Sequence, residues 1–502
     1  MKKNILNIIG LLTVFNVFSQ QYIYGDLHSR YKMDKYICFQ QENMHTLSKP
    51  YQIKSNPSKI FQNGIWDYSA LRDSSHITIL PFLSLQEANK PSLATRKLNY
   101  SSGLQFNYLS SNLFSQIRIG FQKGFVDNSR FSFKRPYAPS AGYLDDTNSF
   151  SYNNPIFQGI FSYKINDYIT LCAGNEKNTF GDGYRSLWLS DFSPAYPFLK
   201  LESTFWKVKY INLWSLHDDQ SSQGFSNLKW ASSHLLSYNV TKWMNLSLFE
   251  SVVWQNKDTL VNRGPDINYF NPFIFFRPVE FGLGSADNAL LGAGAKFTIG
   301  KHCIIYSSII LDEFLLSEIS NRTGWWGNKY GIQYGIKIFD IFKVDGLYSI
   351  LEFNSVRPFT YSHISSKQNY GHKNHSLAHP LESNFQEFLV LFGYQKNNLD
   401  FSVQYHFQKY GIDSANINFG GNMFEPYINR YGNYNQKIGQ GNLVNQHLFI
   451  LQFSYMISAL TNTKVFFRLN SLNSKDINDV NNNNQFFNIG ISSSLWQYQQ
   501  DY

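Results

Sequence analysis

The chain has 502 residues and a net charge of +9, with 16% charged residues against 17% aromatics, yet its mean hydropathy is negative. So much aromatic surface would aggregate a water-soluble fold, and no linker divides the length into separate soluble domains. The positive charge is spread without a dense Lys/Arg block, which argues against a nucleic-acid partner and leaves weak attraction to acidic polysaccharide or lipid head groups.

Lys2 and Lys3 precede an apolar run from Ile5 to Phe18, and Val17 and Ser19 fit the small-residue positions of an export cleavage site, so residues 1–20 are expected to be a signal peptide. The run is short for a membrane anchor, and no later stretch offers about eighteen uninterrupted apolar residues. With no Cys directly after the cleavage region, a lipoprotein anchor is not suggested. Residues 21–97 are irregular, with His28, Tyr31 and Trp66, and read as a periplasmic or plug segment; that they hold the first strands is the equal alternative. Cys38, Cys172 and Cys303 are too far apart and too few for a disulfide framework or a metal motif, although one pair could be bridged in an oxidising compartment.

From Leu98 to the end, apolar and polar residues alternate in long runs, which places them on opposite faces of strands. Phe401, Val403, Tyr405 and Phe407 alternate with Ser402, Gln404, His406 and Gln408; Tyr330 to Ile338, His447 to Tyr455 and Leu246 to Trp254 repeat the pattern. The polar partners suit a wet lumen better than a sandwich core. Residues 98–502 are therefore expected to form an all-β, transmembrane antiparallel barrel of the outer membrane, and about 20–24 residues per strand and connection allow about 16–20 strands. Asn470 to Asn484 reads as a solvent-exposed loop, and Phe486 to Trp496 as the closing strand. Leu311 to Ser320 departs from alternation and reads either as a short helix or as a strand with a bulge.

Four islands mix charge with Gly, Pro or Trp. The first, Gly174 to Asp191, carries Asp182, Arg185, Trp188 and Asp191; its Gly-x-Gly lacks the context of a phosphate loop. The second, Asn268 to Phe297, holds Arg277, Glu280 and Asp287 among aromatic and small residues, and a water-lined interior would relieve their burial. The third joins Asp312 and Glu313 to Arg322, Trp325 and Trp326, and the fourth runs from Glu352 through Arg357 and His363 to His379 and Glu387. Asp312 and Glu313 make a poor glycosidase pair, because neighbours on a strand point apart. Ser362 beside His363 or His379 would be needed for an outer-membrane hydrolase, and nothing selects it. His372, His375 and His379 have metal-like spacing only on a helix, which Gly371 and Pro380 oppose. The favoured reading is that Arg277, Glu280, Arg322, Glu352 and Arg357 form ion-paired ladders bracing a wide lumen, with no catalytic residue, metal or cofactor. Trp188, Trp325 and Trp326 suit stacking on sugars, and equally suit a membrane-interface belt.

The motifs Gly181 to Asp191, Asn271 to Glu280 with Gly284 to Asn288, Leu311 to Phe314 with Trp325 to Gly331, and Arg357-Pro358 with Tyr361 to His363 and Leu377 to Leu381 resemble, in this order, the gliding-motility RemB-like branch of the capsule-assembly Wzi family. The resemblance covers Gly174 to Glu387, and Glu382 stands where the pattern has glycine after His-Pro-Leu. It implies an outer-membrane barrel of about 18 strands with a plugged lumen. It also implies a non-enzymatic role in binding surface or capsular polysaccharide, with lipid and gliding or secretion machinery as further partners. A transport or secretion pore is the alternative.

Overall fold

The computed structural model describes residues 21–23, 27–40, 44–53, 75–90, 95–125, 137–138, 142–145, 151–220, 226–257, 263–272, 287–414, 417–458, 463–476 and 481–493. The expected signal peptide lies outside them.

Strict alternation over long runs yields strands that can only be satisfied by closure, since an open edge in lipid would leave backbone groups unpaired. The strands are β1 (His76–Lys90), β2 (Thr95–Leu109), β3 (Leu113–Phe125), β4 (Ser151–Lys164), β5 (Ile169–Glu176), β6 (Tyr196–Phe205), β7 (Val208–Gln220), β8 (Ser226–Asn239) and β9 (Met244–Gln255). They continue as β10 (Asn288–Ile299), β11 (Cys303–Glu313), β12 (Lys329–Phe339), β13 (Leu347–Val356), β14 (Phe385–Lys396), β15 (Leu399–Ile412), β16 (Asn442–Ser458), β17 (Thr463–Asp476) and β18 (Asn481–Ser492). Each pairs antiparallel with its sequence neighbours, and β18 closes on β1 with Phe487 opposite Asn89 and Ser492 opposite Ser84. The result is an 18-strand closed barrel. On β15 the expected parity holds: Ser402, Gln404, His406 and Gln408 are buried on the lumen side, while Phe401 and Tyr405 are exposed.

One end of the barrel has short turns, such as Trp206-Lys207 and Asn397-Asn398, and the other has long loops, including residues 177–195, 357–384 and 413–441. Outer-membrane barrels place the short turns toward the periplasm and the long loops outside.

Within residues 21–97 the described residues include a helix and the first barrel strand. Helix α1 (Leu27–Gln40) sits against the short-turn end: Lys35 bridges Asp340 and Asp345 at 2.7 and 2.8 Å, and Tyr31 stacks on Tyr348 at 4.2 Å. The barrel, however, starts at β1 rather than at residue 98, because the run from His76 has its own period-two face.

Two local expectations change. Asn470 to Asn484 is not simply a loop, since β17 and β18 pair through most of it, from Asn470 opposite Phe486 to Lys475 opposite Asn481. Polar strands beyond the bilayer keep pairing because the ladder satisfies their backbone groups wherever water does not. In Leu311 to Ser320 both alternatives occur in succession, a bulge between Leu311 and Glu313 and then helix α2 (Leu316–Ser320). None of the three cysteines forms a disulfide.

Candidate functional site

The barrel is filled from both ends. Residues 44–49 follow α1 into the lumen, where Ser48 and Lys49 pair as a short ladder with Thr179 and Phe180 of the in-folded loop 177–195. Thr46 donates to Asp182 at 2.5 Å, and Lys49 donates to the Gly181 carbonyl. Lys296, projecting from β10, stands 3.7 Å from Asp182. Burial raises the Asp182 carboxyl, but Lys296, Lys49 and Lys337 outweigh it and hold the group below the usual carboxylate range. Asp191, at the end of the same loop, pairs with Arg30 of α1 at 2.9 Å. The loop from above and the helix from below thus share an ion pair, and the segment after the helix adds the hydrogen bonds of Thr46 and Lys49.

Trp188 is almost fully buried, stacks on Phe249 at 5.5 Å with the rings nearly parallel, and donates Nε1 to the Ile309 carbonyl at 3.0 Å. Its ring lies where β10 has no side chain: a Cβ on Gly292 would fall 2.6 Å from its Nε1. It is a wedge between loop and wall, with neither a sugar platform nor a membrane belt around it.

Arg185, Glu352 and His379 come together, and Glu387 joins them. Glu352 accepts from the Tyr184 and Arg185 backbone N–H groups at 2.7 and 3.1 Å and from the Tyr306 hydroxyl at 2.6 Å. Glu387 lies 3.5 Å from Arg185 and contacts His379 Nε2 at 2.7 Å, His406 Nδ1 at 3.1 Å and Gln408 at 2.7 Å. Burial outweighs the Glu387 carboxylate and keeps the His379 imidazole below its usual range. The network ties a loop to β13, β14 and β15; of the residues expected in bracing ladders, it contains Glu352. Glu387 carried a signal in the sequence: it stands on the apolar row Phe385, Leu389, Leu391 of β14, where a lone carboxylate needs partners.

The outer loops form a second cluster. Arg357 donates to the carbonyls of Asn328 and Trp325 at 2.7 and 3.2 Å, and so closes the 314–328 loop. Trp326 is flanked by the Arg430 guanidinium at 4.2 Å and by Tyr427 at 4.7 Å. Trp325 is half-buried over Gly327. His363 meets Tyr427 edge-on at 6.0 Å, and burial and then Lys329 push its imidazole down to about 4. Arg322 is exposed and held at a φ of 53°, apart from the cluster. Glu382 takes a φ of 63°, so it keeps the left-handed conformation that favours the glycine of the resembling pattern.

Asp312 and Glu313 do not diverge as strand neighbours would, because the bulge between Leu311 and Glu313 turns both toward Lys329, at 3.0 and 3.3 Å. One ammonium thus faces both carboxylates. Ser362 donates its hydroxyl to the Phe359 carbonyl at 2.6 Å. Asp287 receives Arg263 through both oxygens at 2.8 and 2.9 Å and the Tyr269 hydroxyl at 2.8 Å. That loop covers the outward face of β7 and β8, where Trp214 and Ser232 both donate to the Tyr269 carbonyl. Arg277 and Glu280 lie outside the described residues. Among the described residues, no group of three His, Cys, Asp or Glu side chains could hold a metal ion.

No family model matches the chain, and no curated protein sequence matches it. Among solved structures it is similar to Wzi of Escherichia coli, an outer membrane protein involved in group 1 capsule assembly and a carbohydrate binding β-barrel. That likeness has a TM-score of 0.56 at 11% identity, over 95% of this chain and 100% of that one. OprD of Pseudomonas aeruginosa matches at a TM-score of 0.43 and 12% identity, over 87% and 97% of the two chains. OccAB2 of Acinetobacter baumannii matches at a TM-score of 0.44 and 9% identity, over 84% and 98%. At these identities the likeness is one of fold, and the chain has the closed antiparallel barrel of outer-membrane proteins.

Proposed function

We propose that the protein is an outer-membrane barrel that holds surface polysaccharide at its long-loop end without chemically converting it, and so supports capsule attachment or the surface movement of the RemB-like branch. The observation that carries this reading is the lumen filled from both ends, with Thr46 and Lys49 bonded to loop 177–195. A barrel closed in this way offers its outer loops, rather than a passage, to a ligand.

Those loops expose Tyr431, Tyr434, Asn429, Asn433 and Asn435 beside Arg430. Aromatic faces stack on the apolar faces of sugars, and amides and guanidinium pair with their hydroxyls. The carbohydrate binding of the similar Wzi barrel supports the same reading.

The test is retention of surface polysaccharide extracted from the source strain on the purified protein, with Tyr431→Ala/Tyr434→Ala expected to weaken it about tenfold. A deletion strain scored for capsule retention and for surface spreading separates the two roles. Steady single-channel conductance of the wild type in planar bilayers would replace this reading with transport.

A further inference from the structure

The short-turn end carries a charge pattern that the polysaccharide reading leaves unused. Five consecutive hairpins at this end, from β6–β7 to β14–β15, place Lys207, Lys242, Lys301 and Lys343 on their turns and Lys396 at the end of β14 beside its turn, all exposed except the half-buried Lys207. The acidic residues of the β12–β13 turn, Asp340 and Asp345, are both engaged by Lys35 of α1. On the opposite side, the β2–β3 turn Ser110 to Asn112 has no charge, and the β4–β5 turn carries Asp167 paired with Lys164 at 2.6 Å. The positive rim is therefore one-sided.

Large aromatic side chains accompany the lysines. Trp206, Trp243 and Phe342 are exposed by 81%, 55% and 90%. Trp206 and Phe342 sit at φ of 52° and 55°, a conformation that side chains other than glycine seldom adopt. Lys207 lies over the Trp206 ring at 5.2 Å, and Trp243 stacks on the wall residue Phe297 at 6.2 Å. Aromatic rings of this kind belong at the level of lipid head groups, and the lysines beside them supply cations at the same height. The rim is continuous with the lipid-facing wall through Phe205 and Tyr168, which are exposed and stack at 5.3 Å.

We propose that this arc binds the phosphate head groups of anionic phospholipid in the leaflet at the short-turn end, with the lysines holding phosphate and Trp206, Trp243 and Phe342 seated at the interface. The inference rests on the membrane placement of the proposed function. It adds a lipid class and a preferred side of the barrel.

The test uses the full chain folded into phosphatidylcholine vesicles that contain, at equal fraction, brominated phosphatidylglycerol or brominated phosphatidylcholine, with tryptophan quenching as the readout. Heat-modifiable migration first establishes insertion, so a failure to insert counts against the membrane reading and is seen apart from lipid preference. Wild type is expected to be quenched more by phosphatidylglycerol. Each Lys→Gln change should lower that preference about fivefold, and the variant with all five changed should show none while migrating as wild type. Equal quenching by the two lipids, or an unchanged preference in the five-lysine variant, would overturn the proposal. So would displacement of phosphatidylglycerol by soluble heparin, because it would assign the arc to a soluble polyanion.

Discussion

The Asp182 carboxylate accepts the Thr46 hydroxyl at 2.5 Å, and this contact joins a segment that enters the barrel from the short-turn end to a loop that enters from the other. The closure depends on a meeting of polar groups inside a wide barrel, and it is open to direct tests.

Asp182→Ala removes the acceptor of Thr46 and leaves Lys296 and Lys49 without their carboxylate. Breaking a buried pair from one side costs about 3–5 kcal/mol, so loop and plug should separate while the wall remains paired. Planar-bilayer recording should find the wild type silent and the variant conducting. A variant as silent as the wild type would place the seal elsewhere.

The same junction should respond to pH through Lys49. Burial, and then the Arg30 guanidinium, push its amine down to about 7. Because this lies below the ordinary lysine value of about 10.4, the undocked segment holds the proton more tightly, and docking gains stability as pH rises from about 7 toward that value. Hydrogen exchange at residues 46–49 should slow across this window beyond the intrinsic rate correction, and Lys49→Met should flatten the response. A flat wild-type profile would contradict the assignment.

Gly292 makes room for Trp188. Gly292→Ala would place a methyl 2.6 Å from the indole Nε1 and is expected to destabilise by about 1–3 kcal/mol through overpacking. Trp188→Ala should cost about 3–5 kcal/mol through the cavity left. With the ring gone the methyl has space, so the double variant should unfold in urea at a higher concentration than the two losses summed would give.

Arg185→Ala leaves the buried Glu387 and its histidines without the guanidinium 3.5 Å away, with an expected loss of about 3–5 kcal/mol. The protein that does refold should bind extracted polysaccharide as the wild type does, since the network is internal. A selective loss of binding at unchanged stability would make Arg185 part of the ligand site.

How far the sequence could be read follows the range of the interaction concerned. The alternation of Ser402, Gln404, His406 and Gln408 with Phe401, Val403, Tyr405 and Phe407 is local, so strand, face and barrel class were legible in it. Glu382 stands in a glycine position of the resembling pattern, and its left-handed φ is a property of one residue. The closeness of Asp312 and Glu313 was not legible, because a bulge reverses the parity that neighbouring strand residues otherwise obey. The Asn-rich run near Asn470 looked like a loop because side-chain polarity does not report whether the backbone is paired. Trp326 reads alike as a sugar-stacking or a membrane-belt residue from its local sequence, because Arg430 and Tyr427, about a hundred residues away in the chain, flank its ring only once the loops have folded.

The sequence by itself determined an aromatic-rich, alternating chain suited to closing into a barrel, since period-two patterning acts on each strand independently. The tertiary structure decided what fills that barrel. Thr46 and Asp182, Arg30 and Asp191, and Arg185 and Glu387 meet only after the wall has closed and both ends have folded inward. Charge pairing over such separations depends on position in space, which residue order alone does not encode.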